Sequence, residues 1–160
     1  DYSVCGGEVG AQAKWNNGLG ARITYAYTKE QLAKDKDGNS INNQYIPARE
    51  HALNVRMDYD RQISSNYGLN IGLQGRVLSG VENVEYKDYY DVSKGTISVE
   101  YPAYTLWKLS LVQRIGKAVK VNAALDNLFG YKPKFYYLNS PITDGVTFQI
   151  GVSIDIDKFF

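Results

Sequence analysis

Hydrophobic and polar residues alternate along this chain with a period of two, and the alternation starts and stops seven times. Period two sends successive side chains to opposite faces of an extended strand, so each run predicts a β-strand with one apolar and one polar face. The first run, 8–15, sets Val9, Ala11, Ala13 and Trp15 against Glu8, Gly10, Gln12 and Lys14. Asn16-Asn17-Gly18 follows, residues that tolerate positive φ and predict a tight hairpin turn. The second run, 19–28, opposes Leu19, Ala21, Ile23, Tyr25 and Tyr27 to Gly20, Arg22, Thr24, Ala26 and Thr28. The third sets Leu53, Val55, Met57 and Tyr59 against Asn54, Arg56, Asp58 and Asp60. A turn at about 63–66 joins it to the fourth, with Tyr67, Leu69, Ile71 and Leu73 against Gly68, Asn70, Gly72, Gln74 and Arg76. The fifth is the poorest: Trp107, Leu109 and Leu111 oppose Lys108 and Ser110, and the pattern weakens at Val112 and Gln113. Gly116-Lys117 turns into Val119, Val121, Ala123 and Leu125 against Lys120, Asn122, Ala124 and Asp126. The last and cleanest sets Phe148, Ile150, Val152, Ile154 and Ile156 against Gln149, Gly151, Ser153, Asp155 and Asp157.

Connections after runs one, three and five are short, whereas those after two, four and six extend to roughly twenty residues, the turn and loop asymmetry of outer-membrane barrels. The asymmetry predicts that the last strand descends from outside and leaves the C-terminus in the periplasm. Aromatic residues gather at strand ends in agreement: Trp15, Tyr59 and Tyr67 beside short turns, Tyr25, Tyr27 and Trp107 beside long loops. A soluble lipocalin-like barrel or β-sandwich also gives alternating strands. The mixed, glycine-containing polar face, with Arg22, Arg56, Asp58, Arg76, Lys108, Asn122 and Asp126, suits a water-filled lumen better. Bacterial single-chain barrels have even strand numbers from about eight, so seven strands read as the closing part of a larger barrel.

Composition sharpens this reading in three places. No stretch approaches the roughly 18 consecutive apolar residues of a spanning helix. The 18 basic and 17 acidic residues balance without a basic cluster, so nucleic acid is not an expected partner. Fourteen tyrosines and fifteen glycines fit aromatic belts and glycine-containing strands. The chain opens on Asp1 without a start methionine or an apolar leader, which agrees with a piece of a longer protein.

Leu125-Asp126-Asn127-Leu128-Phe129, followed by Gly130-Tyr131, resembles the Asn-Leu-Phe motif that precedes the last strand of TonB-dependent receptors. Pro141, Gly145 and Phe148 resemble the proline, glycine and aromatic that follow it, with Val146 in place of the usual arginine. Phe160, a terminal aromatic after an alternating strand, resembles the signal read by the outer-membrane assembly machinery. Upstream, Pro47-Ala48-Arg49-Glu50-His51 resembles the family's opening of a descending strand, and Gly6-Gly7-Glu8 its strand start. The segment 135–141 is most similar to receptors from the Bacteroidetes. The resemblance implies an all-β, antiparallel transmembrane β-barrel, of which residues 1–160 supply about seven of a usual twenty-two strands. The plug domain and earlier strands would lie outside this chain. It also implies uptake of a scarce ligand (iron-siderophore, haem or cobalamin) across the Gram-negative outer membrane, driven by TonB through the plug. Expected partners are outer-membrane lipid, the assembly machinery and a small-molecule ligand, with no cofactor and no enzymatic reaction. A passive porin or autotransporter barrel is the alternative, and a soluble β-barrel binding module a further one.

Candidate ligand contacts are the loop tyrosines, Tyr86, Tyr89 and Tyr90 in one loop and Tyr136 in another, because rigid amphipathic rings suit bulky ligands. An outer aromatic girdle explains the same residues. Tyr101, Tyr131, Phe135 and Tyr137 share those loops. His51, the sole histidine, reads as a rim residue, since a metal site needs several converging ligands. Cys5 has no internal partner and reads as an inert thiol, buried or facing lipid. Asp155 and Asp157 alternate as any polar lumen would have them. Asp35-Lys36-Asp37-Gly38-Asn39 lacks the glycine and closing glutamate of a calcium loop and reads as a solvated turn. No nucleophile, phosphate-loop or zinc spacing is present, and no catalytic or metal site is expected.

Overall fold

The computed structural model describes residues 3–31, 48–88, 90–133, 143 and 145–158. Seven strands form one antiparallel sheet: β1 (Ser3–Lys14), β2 (Leu19–Gln31), β3 (His51–Ser64), β4 (Tyr67–Leu78), β7 (Tyr104–Ile115), β8 (Val119–Asp126) and β9 (Thr147–Ile154), in that order. The pair β5 (Val81–Tyr86) and β6 (Thr96–Tyr101) forms a separate two-stranded hairpin in the connection between β4 and β7. The seven runs predicted from alternation are the seven strands of the main sheet.

Register follows from the pattern. Most apolar residues meet an apolar residue on the neighbouring strand, as in the row Ala13, Ala21, Met57, Leu73, Leu109, Leu125, Phe148, which crosses all seven strands, although Leu69 stands between Arg61 and Gln113. Because side chains alternate strictly, a slip of one residue anywhere would turn a whole strand inside out. Tight turns hold the phase. Gly18, at φ 94°, closes the first hairpin, and its carbonyl accepts from the Asp60 N–H at 2.8 Å, tying the turn to β3. Only at 62–64 does the β3–β4 ladder shift, by one extra residue at Ile63.

Several boundaries differ from the sequence reading: β1 already begins at Ser3, β2 runs on to Gln31 and β3 spans His51–Ser64, and three further elements differ more deeply. The segment 78–103, read as loop, holds the β5–β6 hairpin. The poorest run is a full strand of 12 residues, paired along β4 and β8. Its ladders to β4 and β8 are made by backbone groups, so the strand persists through Leu106 and Val112 on its polar face and Gln113 on its apolar face. The last strand ends at Ile154 rather than 157: Asp155 N–H makes a final bond to the Ala118 carbonyl, β8 has no further residue to pair, and Ile156–Lys158 turns into a 3-10 helix. Asp157 therefore does not alternate with Asp155 along the strand.

The sheet is a single layer. Only Leu78 and Tyr101, 5% and 4% exposed, are buried apolar residues among those described, while Val9 and Ile150 are 66% and 67% exposed. Within the layer, glycine makes room for a large cross-strand neighbour. On the apolar face the Trp107 indole lies over its cross-strand partner Gly75, where an added Cβ would come within 2.5 Å of ring carbons. Gly75→Ala must displace that ring, and we expect it to lower the barrel's resistance to urea in detergent by about 1–3 kcal/mol. Gly7→Ala, whose Cβ meets open space on the same face, is the control and should change little. Equal effects would show that the indole does not depend on Gly75.

Candidate functional site

The polar face carries a groove of about 710 Å3, lined by residues of β2, β3, β4, β7 and β8 and bounded by Asn127, Thr143 and Thr147. One register row runs through it: Arg22 opposite Arg56, Arg56 opposite Gln74, Gln74 opposite Lys108, with Lys108 Nζ 3.1 Å from Asp126. Arg76 sits one row nearer the long loops, opposite Asn54. Arg56 reaches Asp58 at 3.8 Å, an exposed pairing; Arg22 and Arg76 have no carboxylate partner among the described residues. Glycines on this face lie under longer polar neighbours: Ser110 over Gly72, Arg114 over Gly68, Asn122 over Gly151. Arg114 also reaches Asp60 at 2.7 Å near the short-turn end.

At the long-loop end, side chains brace segments that have no core to rest on. Arg49, just before β3, donates to the carbonyl of Pro102 at 2.8 Å and to that of Ser79, and its guanidinium lies 4.7 Å from the Tyr104 ring centroid. It thus clamps both ends of the β5–β6 hairpin at their origin in the sheet. Tyr104 stacks on Tyr131 at 5.3 Å. Asn127, buried and at φ 52°, locks the turn after β8: its amide donates to the Tyr131 carbonyl at 2.7 Å and to Thr143 Oγ1 at 2.8 Å, and its oxygen accepts from the Tyr131 N–H. The Leu128 N–H bonds to the Trp107 carbonyl, and Phe129 meets Trp107 edge-on at 6.1 Å on the apolar face. Sequence reading named Asn127 and Arg49 only as motif letters. Their buried or multiply bonded side chains show why those letters stand there.

His51 takes the rim place expected of it. Its Nδ1 is 2.7 Å from the Tyr25 hydroxyl, and its ring lies against Tyr25 and Tyr27, forming an aromatic group on the apolar face at the long-loop end. No group of three or more His, Cys, Asp or Glu that could hold a metal occurs among the described residues. Cys5 is exposed on the apolar face of β1, which leaves the lipid-facing half of its expectation and removes the buried half.

Of the candidate tyrosines, Tyr86 ends β5 opposite Thr96, and Tyr90 stands at the hairpin tip, 95% exposed. Tyr89 and Tyr136 lie outside the described residues, as do Phe160, Pro141 and the segment 35–39. Tyr101 is buried, donating its hydroxyl to Glu85, so it is a packing residue of the hairpin rather than a free contact. The tip is a knot around Lys94: its Nζ is 2.5 Å from Asp88 Oδ2 and 3.8 Å from Asp91, while Asp91 caps the 3-10 turn Val92–Lys94 through the Ser93 N–H. The signal for the hairpin is in the sequence, in two short runs rich in β-formers, Val81–Tyr86 and Thr96–Tyr101, on either side of a polar stretch that ends at Gly95.

The family model for the TonB-dependent receptor-like β-barrel matches residues 4–128. The chain belongs to that family. No curated protein matches it. TonB-dependent receptors are outer-membrane transporters rather than enzymes, and their ligands are small molecules. The matched span runs from β1 through β8 and ends at the Asn127 lock, so the braces at Arg49 and Asn127 are features of this receptor barrel's own rim.

Two outcomes follow for that rim. Arg49→Ala removes charge-assisted hydrogen bonds of about 2 kcal/mol in total, and amide exchange across 81–101 should accelerate by tenfold or more. Arg49→Lys, lacking the planar fork, should recover only part. Unchanged exchange in Arg49→Ala would mean that the hairpin holds without the clamp. The second concerns acid. The Lys94 ammonium, helped by the Tyr90 backbone N–H, holds the Asp88 carboxyl below the ordinary carboxylate range. A folded-state value below the unfolded one gives stabilisation that is complete above the ordinary range and is lost as pH falls from that range through the lowered folded value. Exchange at the tip should therefore rise below about pH 4. Asp88→Asn should show that faster exchange already at neutral pH, without the acid step.

Proposed function

We propose that this chain is the C-terminal part of a larger TonB-dependent receptor barrel that imports a scarce ligand across the outer membrane. The observation that carries the reading is the sheet's inside-out character: an apolar face with no layer packed on it among the described residues, where Val9, Ile23, Met57 and Ile150 are exposed, backs a groove lined by charges. Soluble monomers rarely expose contiguous apolar patches beyond a few hundred Å2, whereas a membrane barrel must present such a band to lipid. Five of the seven strands have the reach for it, since 12 to 14 residues tilted by about 40° span roughly 30–36 Å, whereas β8 and β9, with 8 residues each, span roughly 20 Å.

β1 and β9, the outer strands of the sheet, would pair with further strands of the receptor, as closure removes exposed edges. A plug, from outside this chain, would fill the lumen and carry the coupling to TonB. Short turns at one end and long connections at the other support an orientation with the C-terminus periplasmic and the β5–β6 hairpin outside. An iron-siderophore, haem or cobalamin would first meet that outer side, where Tyr86 and Tyr90 stand on the arm, with Tyr89 and Tyr136 as further contacts. Phe160 would serve the assembly machinery as its terminal aromatic signal.

The test sets the two faces against each other in the full-length receptor, refolded into lipid vesicles. Ile150→Arg, midway along β9 on the apolar face, should lower membrane folding stability by about 2–4 kcal/mol. Gln149→Arg, one residue earlier and pointing the other way, should cost little. Equal tolerance of both, or a receptor that stays monodisperse without detergent, would defeat the membrane reading.

A further inference from the structure

We propose that Arg22, Arg56 and Lys108, with Arg76 above them, form an anion-binding row in the lumen that takes a small solute bearing two or more carboxylate or phosphate groups. The proposal rests on the barrel reading and names the chemistry of what passes through it. Three cations share one register row with a single carboxylate, Asp126, which Lys108 already neutralises at 3.1 Å. Arg22 stands directly opposite Arg56, a like-charge pair that destabilises an empty sheet. The nearest relief for Arg56 is Asp58 at 3.8 Å, on its own strand and exposed. Arg22 and Arg76 have no carboxylate partner among the described residues, so two planar guanidinium forks face the groove uncommitted.

Guanidinium groups bind carboxylate and phosphate through paired N–H donors, which a point charge or a neutral lining cannot do. Gln74 lies in the same row and Asn54 in the next, adding amide donors between the cations. The groove's volume of about 710 Å3 falls within the range of roughly 300–1,000 Å3 for small-molecule sites, and the competing partner, carboxylates of a plug seated in the lumen, is present in the full-length receptor on which the proposal is tested. It borders Asn127 and Thr143 at the long-loop end, so a solute entering between the loops would reach it first.

Full-length receptor in detergent would be titrated calorimetrically at low ionic strength with citrate, with pyrophosphate and with sucrose as the uncharged control. Citrate or pyrophosphate should bind where sucrose does not, and whichever binds tighter separates a carboxylate from a phosphate ligand. In Arg22→Gln/Arg56→Gln the affinity should fall by tenfold or more, and in Arg76→Gln alone by roughly tenfold. Arg114→Gln, which removes the same charge from the same face but outside the row, should stay within about threefold. Each variant is checked for heat-modifiable migration in gels, and the double variant should be no less stable than wild type, since it removes a repulsive pair. Absence of anion binding by the folded wild-type receptor, or an equal loss in Arg114→Gln, overturns the proposal. Either result leaves the membrane reading standing, because that depends on vesicle insertion and not on anion affinity.

Discussion

Everything in this sheet depends on seven strands keeping one phase. Antiparallel pairing places each residue opposite a partner on the same face, so the alternation in sequence and the alternation in space agree only if no turn adds or drops a residue. The turns enforce that arithmetic. Gly18 enters a left-handed conformation and hydrogen-bonds across to Asp60, and Gly116, at φ 61°, bonds to the Asn66 carbonyl, so the two short turns that they close are stitched to their neighbours. The one irregularity, at Ile63, falls beside the β3–β4 turn, where a shift disturbs only the last pair. With the phase fixed, a sheet that buries almost nothing still separates two surfaces of opposite character.

How much of this could be read from sequence depends on what each element is paired with. Strands with one apolar and one polar surroundings, such as β2 and β9, announce themselves through clean alternation, and all seven main strands were found that way. β7 is faint in the sequence because Leu106, Val112 and Gln113 break the alternation, whereas its ladders to β4 and β8 are made by backbone groups that do not depend on it. The β5–β6 hairpin was missed for the opposite reason. It is a sheet of its own, and Glu82, Glu85 and Glu100 make it look like loop until Val81–Tyr86 is set against Thr96–Tyr101. The end of β9 was overrun since alternation continues to Asp157 while the partner strand does not.

The candidate site was legible in part. Arg22, Arg56, Arg76, Lys108 and Asp126 were recognisable as one polar face, but only register reveals that Arg22, Arg56 and Lys108 stand in one row. Sequence separations of 34 and 52 residues hide that adjacency. The tyrosine group fared differently. Tyr86 and Tyr90 share one arm, while Tyr101 turns inward to Glu85, so residues equivalent by composition divide by orientation. Motif residues carried the least surprise in position and the most in purpose, because Asn127 and Arg49 act as braces of the rim.

Those braces follow from the absence of a core. In a soluble domain a long loop packs back onto buried apolar side chains, but here the apolar face is committed to its own surroundings and the polar face to water. The segments at the rim must be held instead by directional contacts, and the three found suit three different tasks. Asn127 uses both amide ends to close a turn that no ladder reaches. Arg49 spans the two carbonyls where the hairpin leaves and rejoins the sheet, fixing its base, while the tip is tied separately around Lys94. His51 and the two tyrosines beside it give the apolar face an amphipathic edge, the arrangement that aromatic side chains adopt where an apolar layer meets water. A sheet with so little buried area is thus ordered at its rim by a few polar contacts, each making several bonds, and the loss of one loosens a defined segment rather than the whole.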